Sequence, residues 1–157
     1  MNDIKRQIFS GMKLLFEKKW VEGFALVVEG AVIKAVIRKE MISHHLPAEQ
    51  HEFNADHYLA PGFIDLHIHG ANGFDVMDAK VESLCEISRA LAAEGVTGFL
   101  ATTMTMDASR IEAALGVVPE AMNQADGAAI LGVHLEGPFI SKEKITYYTV
   151  TNSDKRE

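Results

Sequence analysis

Three apolar, strand-like runs recur along the chain at an interval of about thirty residues, the length of one strand–helix–strand unit. They are Phe63-Ile64-Asp65-Leu66-His67, Val96-Thr97-Gly98-Phe99-Leu100-Ala101-Thr102 and Ala129-Ile130-Leu131-Gly132-Val133-His134. Val81, Leu84, Ile87, Ser88 and Leu91 fall on one helical face between the first two, and Ile111, Ala114, Leu115, Val118 and Met122 on another between the second and third. Asp78 reads as the N-cap of the first helix and Gly95 as its C-terminal stop, while Pro119 is expected to weaken or kink the second. This alternation predicts an α/β architecture of parallel strands joined by crossover helices. Reactive groups in such folds stand at the carboxyl ends of the strands.

The first run lies within Pro61-Gly62-Phe63-Ile64-Asp65-Leu66-His67-Ile68-His69-Gly70. Alternate strand residues point to one side, so His67 and His69 can present both imidazoles to one ion. Zinc or a similar ion held there lowers the pKa of a coordinated water toward neutrality and makes hydroxide available, which is hydrolase chemistry. The plainer alternative is two polar residues on an exposed strand end. Asp65 and Asp75 are further oxygen donors nearby, and Gly70-Ala71-Asn72-Gly73 is a compact loop whose glycines let backbone approach a ligand. Asp75 and Asp78 read as loop solvation and a helix cap rather than as ligands.

The third run continues into Gly132-Val133-His134-Leu135-Glu136-Gly137-Pro138. Glu136 can complete a metal site begun on another strand; its alternative is a solvated loop glutamate before a Gly-Pro turn. His134 stands two residues away, suited either to ligation or to orienting a water or carboxylate. Thr102 and Thr103 close the second run, but a hydroxyl at a strand end ordinarily serves as a backbone hydrogen-bond partner, so both stay outside the predicted site. Met104 and Met106 read as fillers of core gaps.

The first part of the chain reads as short strands. Phe24-Ala25-Leu26-Val27-Val28 and Ala31-Val32-Ile33-Lys34-Ala35-Val36-Ile37 flank Glu29-Gly30 as a hairpin. The polar stretch from Ser43 to Glu52 reads as a surface connection, and His44 and His45 within it as solvated histidines, since adjacent side chains diverge.

Composition narrows the partners. With 22 acidic against 15 basic residues in 157, the chain lacks the basic face that nucleic acid requires. A content of 48% hydrophobic and 24% charged residues is that of a globular domain, not a disordered one. No apolar run approaches a membrane span and no signal-peptide core follows Met1-Asn2-Asp3-Ile4-Lys5-Arg6, so no membrane partner and a cytoplasmic location are expected. The single cysteine, Cys85, sits beside Leu84 and Ile87 in a helical pattern and reads as core.

These motifs resemble N-acetylglucosamine-6-phosphate deacetylases of the amidohydrolase superfamily. The resemblance is carried by Ala60 to Gly70, by Gly73-Phe74-Asp75 and Met77-Asp78-Ala79, by Glu94-Gly95-Val96-Thr97 with Phe99-Leu100-Ala101-Thr102-Thr103, and by His134-Leu135-Glu136-Gly137-Pro138-Phe139. It implies the N-terminal part of a metal-dependent (β/α)8 barrel, about three βα units over residues 59–144, preceded by a small β-sandwich-type region over 1–58. It also implies a divalent metal ion, zinc or iron, held by His67, His69 and Glu136, an amino-sugar phosphate substrate, and homo-oligomers among full-length relatives. His67 and His69 match the subgroup that keeps the His-x-His pair and can hold a second metal. Another amidohydrolase acting on a cyclic amide, and a non-catalytic metal-binding fragment, are the alternatives.

The resemblance stops at Lys144. The family continues into a Lys-Gly-Ala-His type stretch and later supplies two more histidine ligands and a catalytic aspartate; here residues 145–157 read as an aberrant tail without counterparts. A whole barrel takes about 250 residues. The expectation is therefore a premature end, as after a shift of reading frame near Lys144, with little activity in this polypeptide; a short paralogue is the alternative.

Overall fold

The computed structural model describes residues 5–139, which divide after Pro61 into two compact units. The tail singled out above lies outside the described residues.

The first unit carries seven short strands: β1 (Arg6–Ser10), β2 (Lys13–Phe16), β3 (Lys19–Val21), β4 (Phe24–Glu29), β5 (Val32–Arg38), β6 (Glu49–Glu52) and β7 (Tyr58–Leu59). They form one sheet in the order β5-β4-β1-β6 and another in the order β3-β2-β7. The predicted hairpin is β4 and β5, antiparallel from Phe24 opposite Arg38 to Glu29 opposite Val32. Ile8, Ala25 and Val27 are buried together beneath it. The Arg6 guanidinium joins three elements: Nε and Nη2 donate to Glu29 Oε1 at 2.8 and 2.5 Å, and Nη1 donates to the His45 carbonyl at 3.0 Å.

The stretch from Ser43 to Glu52 is not merely a connection. Lys39–His45 forms a 3-10 turn, and β6 pairs parallel with β1 from Gln7 opposite Glu49 to Ser10 opposite Glu52. An edge strand needs only backbone pairing on one side, so its polar side chains hid it from hydropathy. His51 also stacks on the Phe9 ring, with centroids 4.7 Å apart. His44 is exposed, as expected, and His45 contributes its carbonyl to Arg6.

The second unit runs β8 (Phe63–Ile68), β9 (Gly70–Ala71), β10 (Phe74–Asp75), α1 (Val81–Ala93), β11 (Val96–Thr102), α2 (Ala108–Gln124) and β12 (Ala129–His134). The expected parallel sheet is present, with β11 between β8 and β12. Phe99 and Ala101 of β11 are fully buried against Leu84, Ile87 and Leu91 of α1 and Val118 and Ala121 of α2. Cys85 is buried too, and burial pushes its thiol pKa up, as suits a packing residue. Ser88, also on the buried face of α1, donates its hydroxyl to the Ala128 carbonyl at 2.8 Å and accepts the Gly127 N–H at 3.1 Å. It thereby fixes where β12 begins.

Helix boundaries differ in detail from expectation. Gly95 does stop α1, at φ +82°. Asp78 is not its N-cap, since Lys80 occupies that position. Asp78 instead ends a 3-10 turn over Val76–Asp78, where its carboxylate accepts the Asp75 N–H at 3.1 Å and the Ser83 hydroxyl at 2.9 Å. Those two donors hold its pKa below the usual carboxylate range. Pro119 does not end α2, which continues to Gln124 although the ring leaves one helical carbonyl without its N–H donor. Asn123 Nδ2 donates to the Pro119 carbonyl at 2.9 Å. Met122 is exposed and Ala121 takes the buried position, a drift of one residue along the face. Met104 and Met106 pack against Met77, Ile111 and Ala114, as gap fillers do.

The β11–β12 pairing slips by one residue: Phe99 stands opposite Ile130, but Leu100 stands opposite Gly132. Leu131 is the extra residue. Ile130 and Val133, three apart, consequently both pack on the helix-side core, which no regular strand allows. Among the described residues no helix is long and apolar enough to cross a membrane.

Candidate metal centre

The three predicted ligands converge at the carboxyl ends of β8 and β12. His67 Nε2 and His69 Nε2 are 3.2 Å apart, and Glu136 Oε2 lies 3.4 Å from the first and 3.7 Å from the second. Two ligand atoms each about 2.1 Å from one tetrahedral ion are separated by about 3.4 Å, so the observed triangle has the dimensions of three corners of a coordination shell. These are also the His, Cys, Asp and Glu residues that cluster with metal-binding spacing among the described residues. Glu136 is the most enclosed, its side chain 20% exposed against 50% for His67 and 32% for His69.

Each residue is delivered by local backbone chemistry. At the end of β8 two amides leave the ladder: His67 N–H donates to Asp65 Oδ1 at 2.9 Å and Ile68 N–H to Thr102 Oγ1 at 3.0 Å. The chain then turns through β9 and β10, a hairpin whose central residues Asn72 and Gly73 have φ of +54° and +84°. An Asn-Gly pair suits the left-handed positions of such a two-residue turn. The loop Gly70-Ala71-Asn72-Gly73 thus contains a β-turn, and Gly70 has a steric reason of its own, since a Cβ there would fall 2.1 Å from the Phe74 carbonyl oxygen. The Val76 N–H donates to the His69 carbonyl at 2.7 Å and secures the return.

His69 Nδ1 lies 3.2 Å from the Thr102 carbonyl oxygen. A carbonyl only accepts, so Nδ1 carries the proton and Nε2 presents its lone pair to the cluster. His134 is arranged similarly, with Nδ1 3.2 Å from the Leu66 carbonyl, but its ring sets edge-on against His67 at 4.6 Å instead of joining the three ligand atoms. The ring contact it makes is with the predicted ligand His67, not with a water or carboxylate.

Asp65 and Asp75 do not join the cluster. Asp65 is occupied with the His67 amide, and Asp75 caps the 3-10 turn by accepting the Met77 N–H at 2.7 Å. Short carboxylates adjacent to a turn are captured by the nearest unpaired amides.

Thr102 and Thr103 lie outside the predicted site. Both are wholly buried, Thr102 as the last residue of β11 and Thr103 just beyond it. Thr102 faces β8, receiving Ile68 N–H on its hydroxyl and His69 Nδ1–H on its carbonyl. Thr103 faces the segment after β12: its hydroxyl donates to the Glu136 carbonyl at 3.0 Å and accepts the Glu136 N–H at 2.9 Å. They are backbone partners, as expected, but the backbone is that of the ligand-bearing segments. Two consecutive hydroxyls at the exit of a buried strand are the available signal.

No family model matches the chain. An N-acetylglucosamine-6-phosphate deacetylase of Bacillus subtilis (strain 168) is 38% identical over 142 residues, 82% of this chain and 36% of the relative. An N-acetylgalactosamine-6-phosphate deacetylase of Escherichia coli O157:H7 is 33% identical over 137 residues, 87% of this chain and 34% of the relative. Among solved structures, the N-acetylglucosamine-6-phosphate deacetylase of Pasteurella multocida superposes with a TM-score of 0.81 at 28% identity, covering 92% of this chain and 38% of that one. The chain therefore spans about a third of the length of these relatives. It is homologous to the N-acetylglucosamine-6-phosphate deacetylases, hydrolases of the amidohydrolase family.

Proposed function

We propose that residues 59–139 form the metal-bearing start of a (β/α)8 barrel that hydrolyses the acetamide of N-acetylglucosamine 6-phosphate to glucosamine 6-phosphate and acetate. The observation that carries this reading is the convergence of His67 Nε2, His69 Nε2 and Glu136 Oε2 at strand ends, with separations of 3.2 to 3.7 Å. Three parallel strands with helices on one side are what consecutive barrel units supply, and the strands of the first unit fit a partial β-sandwich.

Two neutral imidazoles and one carboxylate suit zinc or ferrous iron. A divalent ion bound there supplies Lewis acidity toward the acetamide carbonyl and lowers the pKa of its water. The chain's own residues do the positioning. The Thr102 carbonyl holds His69 in the tautomer that offers Nε2, and Glu136 adds the negative charge that favours a dication over a proton. The His134 ring braces His67. Asp65 and Asp75, held by backbone amides, are not offered as the proton-transfer group. The matched segment corresponds to about a third of these relatives' length, and the further ligands and aspartate that the resemblance implies are not assigned to any described residue.

The test is acetate release from N-acetylglucosamine 6-phosphate, with its C4 epimer and a cyclic amide beside it, by the metal-loaded protein that carries this segment at full family length. Turnover of the first substrate that vanishes in the His67→Ala/His69→Ala variant supports the reading. Preference for the cyclic amide overturns it in favour of a different amidohydrolase.

A further inference from the structure

We propose that Thr103 is a positioning residue for Glu136: its hydroxyl, acting on the Glu136 backbone, sets the carboxylate at coordination distance from the two histidines. The inference deepens the metal-site reading above and rests on it.

Glu136 lies beyond the end of β12, which stops at His134, so no strand ladder fixes its backbone. Two of its backbone groups are instead taken by one side chain. Thr103 Oγ1 accepts the Glu136 N–H at 2.9 Å and donates to the Glu136 carbonyl at 3.0 Å, which uses the hydroxyl as both acceptor and donor. A third bond, from Thr103 N–H to the His134 carbonyl at 3.1 Å, fixes the preceding step of the chain. Thr103 has no exposed surface, so its β-branched side chain is confined and the hydroxyl cannot swing away. On the far side of Glu136, Gly137 adopts φ +89°, with its Cα so close to Thr105 that a Cβ would lie 2.7 Å from the Thr105 Cα. The glutamate is thus clamped on one side by a hydroxyl and on the other by a close backbone approach, and both partners lie in the segment Thr103–Thr105 that leaves the central strand.

The arrangement is more specific than packing requires. A valine has a similar shape and equal β-propensity at a buried strand exit. A valine could pair with neither the N–H nor the C=O of Glu136, whereas the threonine hydroxyl pairs with both. The adjacent Thr102 turns the other way and holds the histidine side, so the pair ties both ligand-bearing segments to β11.

The test uses Co(II), whose d–d absorption reports coordination, on the purified chain and its variants. Thr103→Val should weaken Co(II) binding by about 10–100-fold, the usual effect of removing a group that orients a metal ligand. Thr103→Ser, which keeps the hydroxyl, should return affinity and spectrum to those of the parent. Because Thr103 acts through Glu136, the double variant Thr103→Val/Glu136→Ala should bind no more weakly than Glu136→Ala alone. Circular dichroism and melting of each variant identify any that fails to fold, and in that case the Thr103→Ser comparison decides. Parent-like affinity in Thr103→Val, loss in Thr103→Ser, or additivity in the double variant overturns the inference while leaving the metal site standing. If the parent and the His67→Ala/His69→Ala variant take up Co(II) equally, the metal-site reading itself fails and the inference with it.

Discussion

His67 Nε2 and His69 Nε2 face each other across 3.2 Å, with the Nδ1 proton of His69 already committed to the Thr102 carbonyl. Two imidazole lone pairs held so close repel unless a proton or a cation lies between them, and Glu136 Oε2 stands where it lowers the cost of a cation. Replacing His67 and His69 together with alanine should abolish binding of a divalent ion, measured by elemental analysis at matched purity. Unchanged metal content in that variant would remove the assignment.

Gly137 should be intolerant of any side chain. Its φ of +89° is left-handed, and an added Cβ meets the Thr105 backbone at 2.7 Å. Gly137→Ala is expected to cost about 1–3 kcal/mol through backbone strain. Because the strain falls next to Glu136, metal affinity should drop as well; a variant that melts and binds like the parent contradicts this.

Acid should loosen the two units through different carboxylates. Hydrogen bonds from Arg6 hold Glu29 below the usual carboxylate range, and the Asp75 amide and Ser83 hydroxyl do the same for Asp78. A group whose folded pKa is lowered contributes stability that is fully present above its unfolded value and is lost as pH falls through the folded one. Melting temperature should therefore fall on acidification below the ordinary carboxylate range. The gap between the parent and Glu29→Gln, or Asp78→Asn, should close over the same interval. Parallel curves would show that neither carboxylate is the cause.

Self-association follows from the edges of the parallel sheet. Among the described residues β8 and β12 each pair only with β11, and Phe63, Ile64 and Leu66 on β8 are 72%, 58% and 63% exposed. Unpaired strand groups beside apolar side chains favour pairing with another chain. The purified 157-residue chain should run as oligomers in light scattering and bind a hydrophobic dye, with Leu66→Lys reducing both. A monodisperse monomer that binds no dye would contradict this.

Much of this arrangement was legible in the chain because it rests on periodicity. The three strands and both helices follow from alternation, and the rule that parallel strands gather their carboxyl ends on one side made His67, His69 and Glu136 candidates, which the family resemblance joined into one set. What escaped was structure made by backbone pairing or by capture of single amides. β6 is polar and paired along one edge, Asp78 serves a turn before the helix instead of the helix, and Thr102 and Thr103 act on neighbours thirty-odd positions away. None of these leaves a hydropathy signature, since each rests on polar pairing, distant in sequence for β6, Thr102 and Thr103 and local for Asp78.

The extra residue in β12 has a consequence for how this protein can tolerate change in length. Counted from Ile130 in steps of two, His134 and Glu136 would share the side of the sheet that packs on the helices. The slip at Leu131 inverts that parity: Val133 takes the helix side and His134 reaches the Leu66 carbonyl and the His67 ring. The core-building start of the strand and its ligand-bearing end are therefore out of phase by design of the chain. Loss of Leu131 would leave Ile130 and Val133 two apart in a regular strand, with Val133 still on the helix side and His134 and Glu136 still on the other; regular pairing of the full-length strand, without the slip, is what would turn His134 inward and Glu136 away from the histidines.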